Sequence, residues 1–263
     1  MYVEKDFWIP NISNIPNDRE KLRQIINLFE LNKFSLHEMY YLDFHNQINL
    51  SKETFRKRIN HSTLIGILNY NDQKYELSEV SKKLFLNEIN LNDYIKRIIT
   101  QNTTLYKITC ITFVLTTLFA PSLRLKTLYS IFALVGKDRK DSSAISTTGR
   151  NLRPILSLMR MIGIIEKRND EIVLGKQIPN SIIDIEVQPL CEHFNEDIVN
   201  IKLIKNYLNE YFDKETVDKI LTCTSSYETK NFIWSKSSLY KNQGEVRNLF
   251  NEYIMTVIIK KGI

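Results

Sequence analysis

The stretch from Leu50 to Leu77 recurs in outline ninety-seven positions later, with Gly66 falling on Gly163 and no gap required. In both copies a basic, amphipathic segment runs into a hydrophobic-Gly-Ile-hydrophobic step, then a strand-like run, a polar turn of Asn, Asp and Lys or Arg, and a second strand-like run. Phe55 aligns with Leu152, Arg56 with Arg153, Ile59 with Leu156, Tyr75 with Ile172 and Leu77 with Leu174. A helix followed by a β-hairpin is therefore expected twice.

The 263 residues suffice for one large domain or two to three small ones. At 43% hydrophobic and 25% charged the chain reads as soluble and globular. Only 7 Gly and 6 Pro interrupt it, so helix should dominate. Cys110, Cys191 and Cys223 are far apart and form no CxxC pair, which indicates neither a disulfide framework nor a zinc site and points to a reducing cytoplasm. The first residues carry acids and no continuous apolar run, so no secretory signal is expected. Ile108 to Ala120 is apolar but too short to span a bilayer, and reads as a buried helix.

Charge is segregated. From Asn180 to Asp218 nine acids face three bases, a net of −6 in a chain of net +6, so the remainder carries +12. Part of that excess lies in the two repeat copies, as contact with phosphates requires. Solvation of exposed helix faces would give a similar balance.

Along the chain, Asp18 is placed to cap a helix carrying Leu22, Ile25, Ile26 and Phe29 at helical spacing. A second helix is expected over Ser35 to His45, and Ser51 caps a third. That third helix turns Phe55, Ile59 and Ser62 inward. Lys57, Asn60 and His61 lie on the opposite face with Thr54 and Arg56 on its flanks. A hairpin follows over Ile67 to Leu77, turning at Tyr70 to Lys74, and Ser78 caps another helix. Leu91 to Thr100 reads as a linking helix.

Three helices, then Arg-Lys-Arg-Ile, Leu-Ile-Gly-Ile-Leu and a hairpin ending Tyr-Glu-Leu-Ser, resemble the winged helix-turn-helix superfamily. The resemblance covers residues 18 to 86, and 105 to 176 less closely. It implies a mainly α fold with small β-hairpin wings: a first winged-helix module with linking helix (1–100), a second module (101–180), and a helical C-terminal region (181–263) for oligomerisation or partner docking. It also implies a recognition helix over Ser51 to Ser62 that enters the major groove of double-stranded DNA, with a wing tip at Asn69 to Lys74 beside it. The residues expected at DNA are Thr54, Arg56, Lys57, Asn60, His61 and Lys74 in the first copy, and Arg150, Asn151, Arg153, Lys167 and Arg168 in the second. Cations suit phosphates, and Asn is a bidentate reader of adenine.

The second copy departs from the first at Pro154, which stands where Lys57 does and falls on the outward face of an ideal helix near Arg150, Arg153 and Ser157. Either the helix starts late, with Pro154 in its first turn, or it kinks there. Gly149, Arg150, Asn151 and Arg153 then either form an anion-binding helix N-terminus or only shape a junction. On this reading the first copy is the DNA reader and the second a related module of open use.

Catalytic patterns are absent. Gly136 to Ser143 is a polar loop, and no GxxxxGK[ST] occurs. His37, His45, His61 and His193 have no metal-ligand spacing. Asp184 and Glu186 lack the lysine that a metal-dependent nuclease places after its second acid, since Gln188 stands there. The expectation is a cytoplasmic, non-enzymatic chain without metal or cofactor and without membrane association. It would be a regulator or a DNA-recognition subunit of a restriction or phage-defence system. Two alternatives stay open: a kleisin-binding subunit of a chromosome-organising ATPase complex, and a plasmid or phage replication initiator. The C-terminal segments Phe194 to Phe212, Lys214 to Leu221 and Val246 to Ile258 read as helices that dimerise, dock a partner or cap the core.

Overall fold

The computed structural model describes residues 9, 11–118, 122–135, 142–175, 194, 196–210, 214–225, 232–237, 246–248, 250 and 252–259. Within these residues the chain is mixed α/β, with helices predominating and three small antiparallel sheets between them.

The first unit comprises α1 (Arg19–Phe29), α2 (Leu36–Tyr41), α3 (Phe44–Gln47), α4 (Lys52–Leu64), β1 (Leu68–Asn71) and β2 (Lys74–Leu77). α5 (Glu79–Phe85) and α6 (Leu91–Gln101) complete it. Every start but that of α3 is set by a short polar residue whose side chain accepts from a backbone N–H that the helix itself leaves without a partner. Asp18 accepts from Lys21, Ser51 from Thr54, Ser78 from Ser81 and Asn90 from Asp93. Ser35 and Glu38 close a reciprocal capping box on α2. α1 buries Leu22, Ile25, Ile26 and Phe29, and α4 buries Phe55, Ile59 and Ser62, the faces that their spacing dictates. The single helix expected over Ser35 to His45 is broken. Asp43 adopts φ 59°, which ends one helix and starts another.

The second unit repeats the order with α7 (Thr103–Leu118), β3 (Leu123–Arg124), α8 (Leu125–Val135), α9 (Ser142–Met161), β4 (Ile165–Arg168) and β5 (Glu171–Leu174). The correspondence extends to single hydrogen bonds. Leu68 pairs with Leu77 and Ile165 with Leu174. The Ile67 amide donates to Ser62 and the Ile164 amide to Met159, while Ser78 and Gly175 donate back to Ile67 and Ile164. Gly66 and Gly163 sit at φ 82° and 77°, a left-handed conformation that explains glycine at both helix-to-strand corners. A short segment between the first and second helical layers joins each hairpin at equivalent residues, Phe34 bridging Tyr75 and Leu123 pairing with Ile172.

Two features of the second copy differ from expectation. α9 neither starts late nor carries Pro154 outward: Pro154 lies inside the helix and is buried. Gly149 is likewise interior to α9, so no helix N-terminus exists there for an anion. It lies under Tyr129 of α8, whose ring would stand 2.7 Å from an added β-carbon.

The C-terminal region is not helical throughout. Helices α10 (Ile201–Asn209) and α11 (Lys214–Thr224) occur, but β6 (Ile198–Asn200), β7 (Phe232–Ser237), β8 (Val246–Arg247) and β9 (Tyr253–Ile259) form an antiparallel sheet centred on β9. Val246 to Ile258 therefore contains strands. Ile254 and Val257 are both buried because the β7–β9 register shifts between Ser235 and Lys236, leaving Met255 as an extra residue on β9. The bulge creates a three-residue spacing that imitates a helix. β9 is also rich in β-branched residues, which favour strand.

One continuous apolar core runs through both units and the C-terminal region. Arg19 of α1 reaches across, donating to the Asn92 side chain at 3.1 Å and to the Met161 carbonyl at the end of α9 at 3.3 Å. Among the described residues no helix is long and apolar enough to cross a membrane.

Candidate nucleic-acid interface

The ninety-seven-residue register allows the two helix-plus-hairpin faces to be compared position by position. On α9, Arg150, Arg153 and Arg160 are exposed and Ser157 half-exposed, one stripe on the side opposite buried Leu152, Ile155 and Met159. The equivalent positions on α4 are Glu53, Arg56, Thr63 and Asn60. On the hairpins, exposed Lys167 and Arg168 correspond to Tyr70 and Asn71. Of five cations in the second copy only Arg153 has a cationic counterpart, Arg56.

Between α9 and the second hairpin runs a groove of about 1000 Å³. Its lining includes Arg153 and Arg160 from the helix, Lys167 and Arg168 from the hairpin, and Arg124 and Lys126 from the β3–α8 junction. Tyr129 and Asn17 also line it, the latter from the loop before α1. Asp170 and Glu171 supply acid at the hairpin end, where Arg124 approaches Glu171 at 4.0 Å and Arg168 meets Glu166 at 3.4 Å. Lys126, Arg153, Arg160 and Lys167 form no ion pair with another described residue. Four uncompensated cations around one concave surface create a local positive field suited to a polyanion.

The first unit pairs part of its own face. Lys57 bonds Glu53 at 2.6 Å, and this bond, followed by the field of Lys57, holds the Glu53 carboxyl below its usual range. Lys74 pairs with Glu38 at 3.3 Å. Glu38 is also lowered, first by the backbone N–H of Ser35. Lys33 and Lys82 both approach Glu76. The Thr54 hydroxyl accepts from Ser51, and the Asn60 carbonyl accepts from the Tyr75 hydroxyl at 3.2 Å. Arg56 is exposed and retains its charge outward.

Two residues expected at DNA are turned to structural work. His61 is half-buried, and its Nδ1 accepts the Asn14 amide at 3.1 Å while Arg58 donates to the Asn14 carbonyl at 3.2 Å. Burial, then the charge of Lys57, lower the His61 pKa, in the direction that favours the neutral ring this acceptor bond uses. Burial also lowers Arg58, opposed by nearby Asp18. Asn151 is 6% exposed and faces the interior of the second unit, so it is unavailable to a base.

Sequence reasoning therefore named Arg153, Lys167 and Arg168, which line one groove, and Arg150, which is exposed on α9 but not in that lining; it missed Arg124, Lys126 and Arg160. Arg160 carried a signal, since it follows Arg153 by seven residues on the same helical line. Arg124 and Lys126 reach the groove through the β3–β5 pairing, which joins positions about fifty residues apart. Asp184, Glu186 and His193 lie outside the described residues. Among those described, no group of three or more His, Cys, Asp and Glu side chains is gathered as metal ligands. Comparison with known proteins finds no matching family model, no similar curated protein and no similar solved structure.

Proposed function

We propose that the chain is a tandem winged-helix protein that binds double-stranded DNA, without catalysing a reaction, chiefly through its second unit. The observation that carries this reading is the groove between α9 and the β4–β5 hairpin, where Arg153, Arg160, Lys167 and Lys126 converge without acidic partners among the described residues. In a winged helix the recognition helix enters the major groove and the hairpin lies beside it. A concave cationic surface between the two is where a phosphate backbone then passes. Counterion release from those phosphates supplies affinity that falls steeply with salt.

The test is a gel shift of random-sequence duplex by the isolated full chain across a salt series. Retardation at low salt, with a log-log slope that flattens in Lys126→Ala with Lys167→Ala, supports the reading. No retardation at any salt, or a slope unchanged in that variant, removes it.

A second reading concerns the first unit alone. Among the described residues, the exposed large apolar side chains outside the C-terminal region, Tyr41, Leu64, Leu31, Tyr70, Leu86 and Leu42, all fall on it. Together with its internal ion pairs this favours protein docking by that unit, as in kleisin-binding subunits. Such a protein needs its partner before it engages DNA, whereas a DNA binder retards duplex by itself.

A further inference from the structure

We infer that the second unit discriminates among duplexes by reading two guanines set two or three base steps apart, one through Arg153 and one through Arg160. This inference rests on the duplex-binding role of α9 proposed above, and adds the sequence that the helix selects.

The argument starts from spacing. Arg153 and Arg160 are seven residues apart, so at 100° per residue they lie within about 20° of one line along α9, and at 1.5 Å per residue about 10.5 Å apart on its axis. Stacked bases repeat every 3.4 Å or so along a strand, so that span matches three steps for a helix parallel to the duplex axis, and about two once the helix follows the inclined groove. Both arginines are exposed and neither forms an ion pair with another described residue. Their forks are free to meet a base edge, and the bidentate partner of arginine in the major groove is guanine through O6 and N7.

Ser157 stands between them on the same stripe, and its hydroxyl donates to the Arg153 carbonyl at 3.1 Å. That donor is engaged within the helix, and the short hydroxyl left as an acceptor reaches less far than either arginine, so no base is assigned to the intervening positions. Lys167, Arg168 and Lys126 sit on the flanks of the groove rather than on the helix line, where they meet phosphates and contribute affinity without sequence preference. The required pattern is thus guanine, one or two unspecified positions, guanine. In the first copy Thr63 stands where Arg160 does, so the pair of readers exists only in the second.

The test measures binding of the full chain, by fluorescence anisotropy, to a panel of otherwise A·T duplexes. These carry two guanines one to six steps apart, with a guanine-free duplex as reference. The expected result is affinity about tenfold higher at two or three steps than at other spacings, abolished when both guanines are replaced by 7-deazaguanine. Arg153→Lys with Arg160→Lys keeps the charge but loses the fork, and should erase the spacing preference whatever its effect on affinity for the guanine-free duplex; a preference that survives this variant overturns the inference. Equal affinity across the panel, with salt-dependent binding intact, overturns the inference and leaves duplex binding standing. No binding to any duplex at low salt overturns duplex binding, and the guanine pattern with it.

Discussion

The ring of Tyr129 on α8 presses against Gly149 on α9, so close that a methyl group there would meet Cδ2 at 2.7 Å and Cε2 at 2.8 Å. Gly149 costs α9 some helix propensity, about 1 kcal/mol relative to alanine, and in return lets the two helices close on each other. Gly149→Ala should therefore destabilise the protein by about 1–2 kcal/mol despite the better propensity, because Tyr129 is held near its root and cannot swing away cheaply. Denaturant midpoints would report it. Tyr129→Leu in the same background should recover most of the loss, and an alanine variant as stable as the parent would refute the close contact.

The asymmetry between the copies predicts an unequal response to charge removal. Arg56→Ala with Lys57→Ala should leave duplex affinity within about twofold, since Lys57 is already bonded to Glu53. Lys167→Ala with Arg168→Ala should lower affinity several-fold at roughly 0.1 M salt and reduce the salt slope by about one, since Lys167 is unpaired among the described residues while Arg168 is bonded to Glu166. Equal losses in the two variants would show that both faces meet phosphate.

His61 makes stability depend on pH in a defined direction. Its folded pKa lies below 6.5 because burial, and then Lys57, disfavour the charged ring. On acidification the unfolded chain takes up the proton first, near its ordinary value, so His61 contributes fully above about pH 6.5 and its contribution falls as pH drops toward the folded pKa. Urea midpoints of the parent should decline more between pH 7.5 and 5.5 than those of His61→Gln, which retains an acceptor for the Asn14 amide without titrating. Parallel declines would remove His61 as the cause.

The hydroxyl of Tyr94 is buried at the junction of α5 and α6. Ser81 gives its one proton to the Ile67 carbonyl at 2.7 Å and accepts from Ser78 at 3.0 Å, which leaves Tyr94 as the donor in its 3.0 Å contact with Ser81. Tyr94→Phe should cost about 1 kcal/mol, and Ser81→Ala more, because it strands Tyr94, Ser78 and Ile67 together. A phenylalanine variant costing more than the alanine variant would contradict this order of dependence.

Much of the fold was legible because local chemistry and tertiary packing agree. Asp18, Ser51 and Ser78 cap the helices that their positions announce, and the two hairpins close in the same register. Legibility failed where a distant partner decides. Pro154 sits at the margin of the apolar arc of α9, and an ideal helix drawn in isolation does not show that both α7 and α8 pack against α9, where Pro154 is buried. The strand β9 was hidden by Met255, whose bulge moves the buried positions to Ile254 and Val257. Of the candidate interface, the stripe on α9 was visible in part. Its partners Arg124 and Lys126 were not, because sheet pairing alone brings them to the groove.

The identical closure of the two hairpins has a practical meaning. Leu68 and Leu77 occupy the same frame as Ile165 and Leu174, and the same amide-to-carbonyl bonds join each hairpin to the helix before it. The shared frame means that transplanting residues 165–174 onto 68–77 should carry Lys167 and Arg168 to a new address in the same strand register, at the loss of the Tyr75–Asn60 bond and of the ion pairs of Glu76.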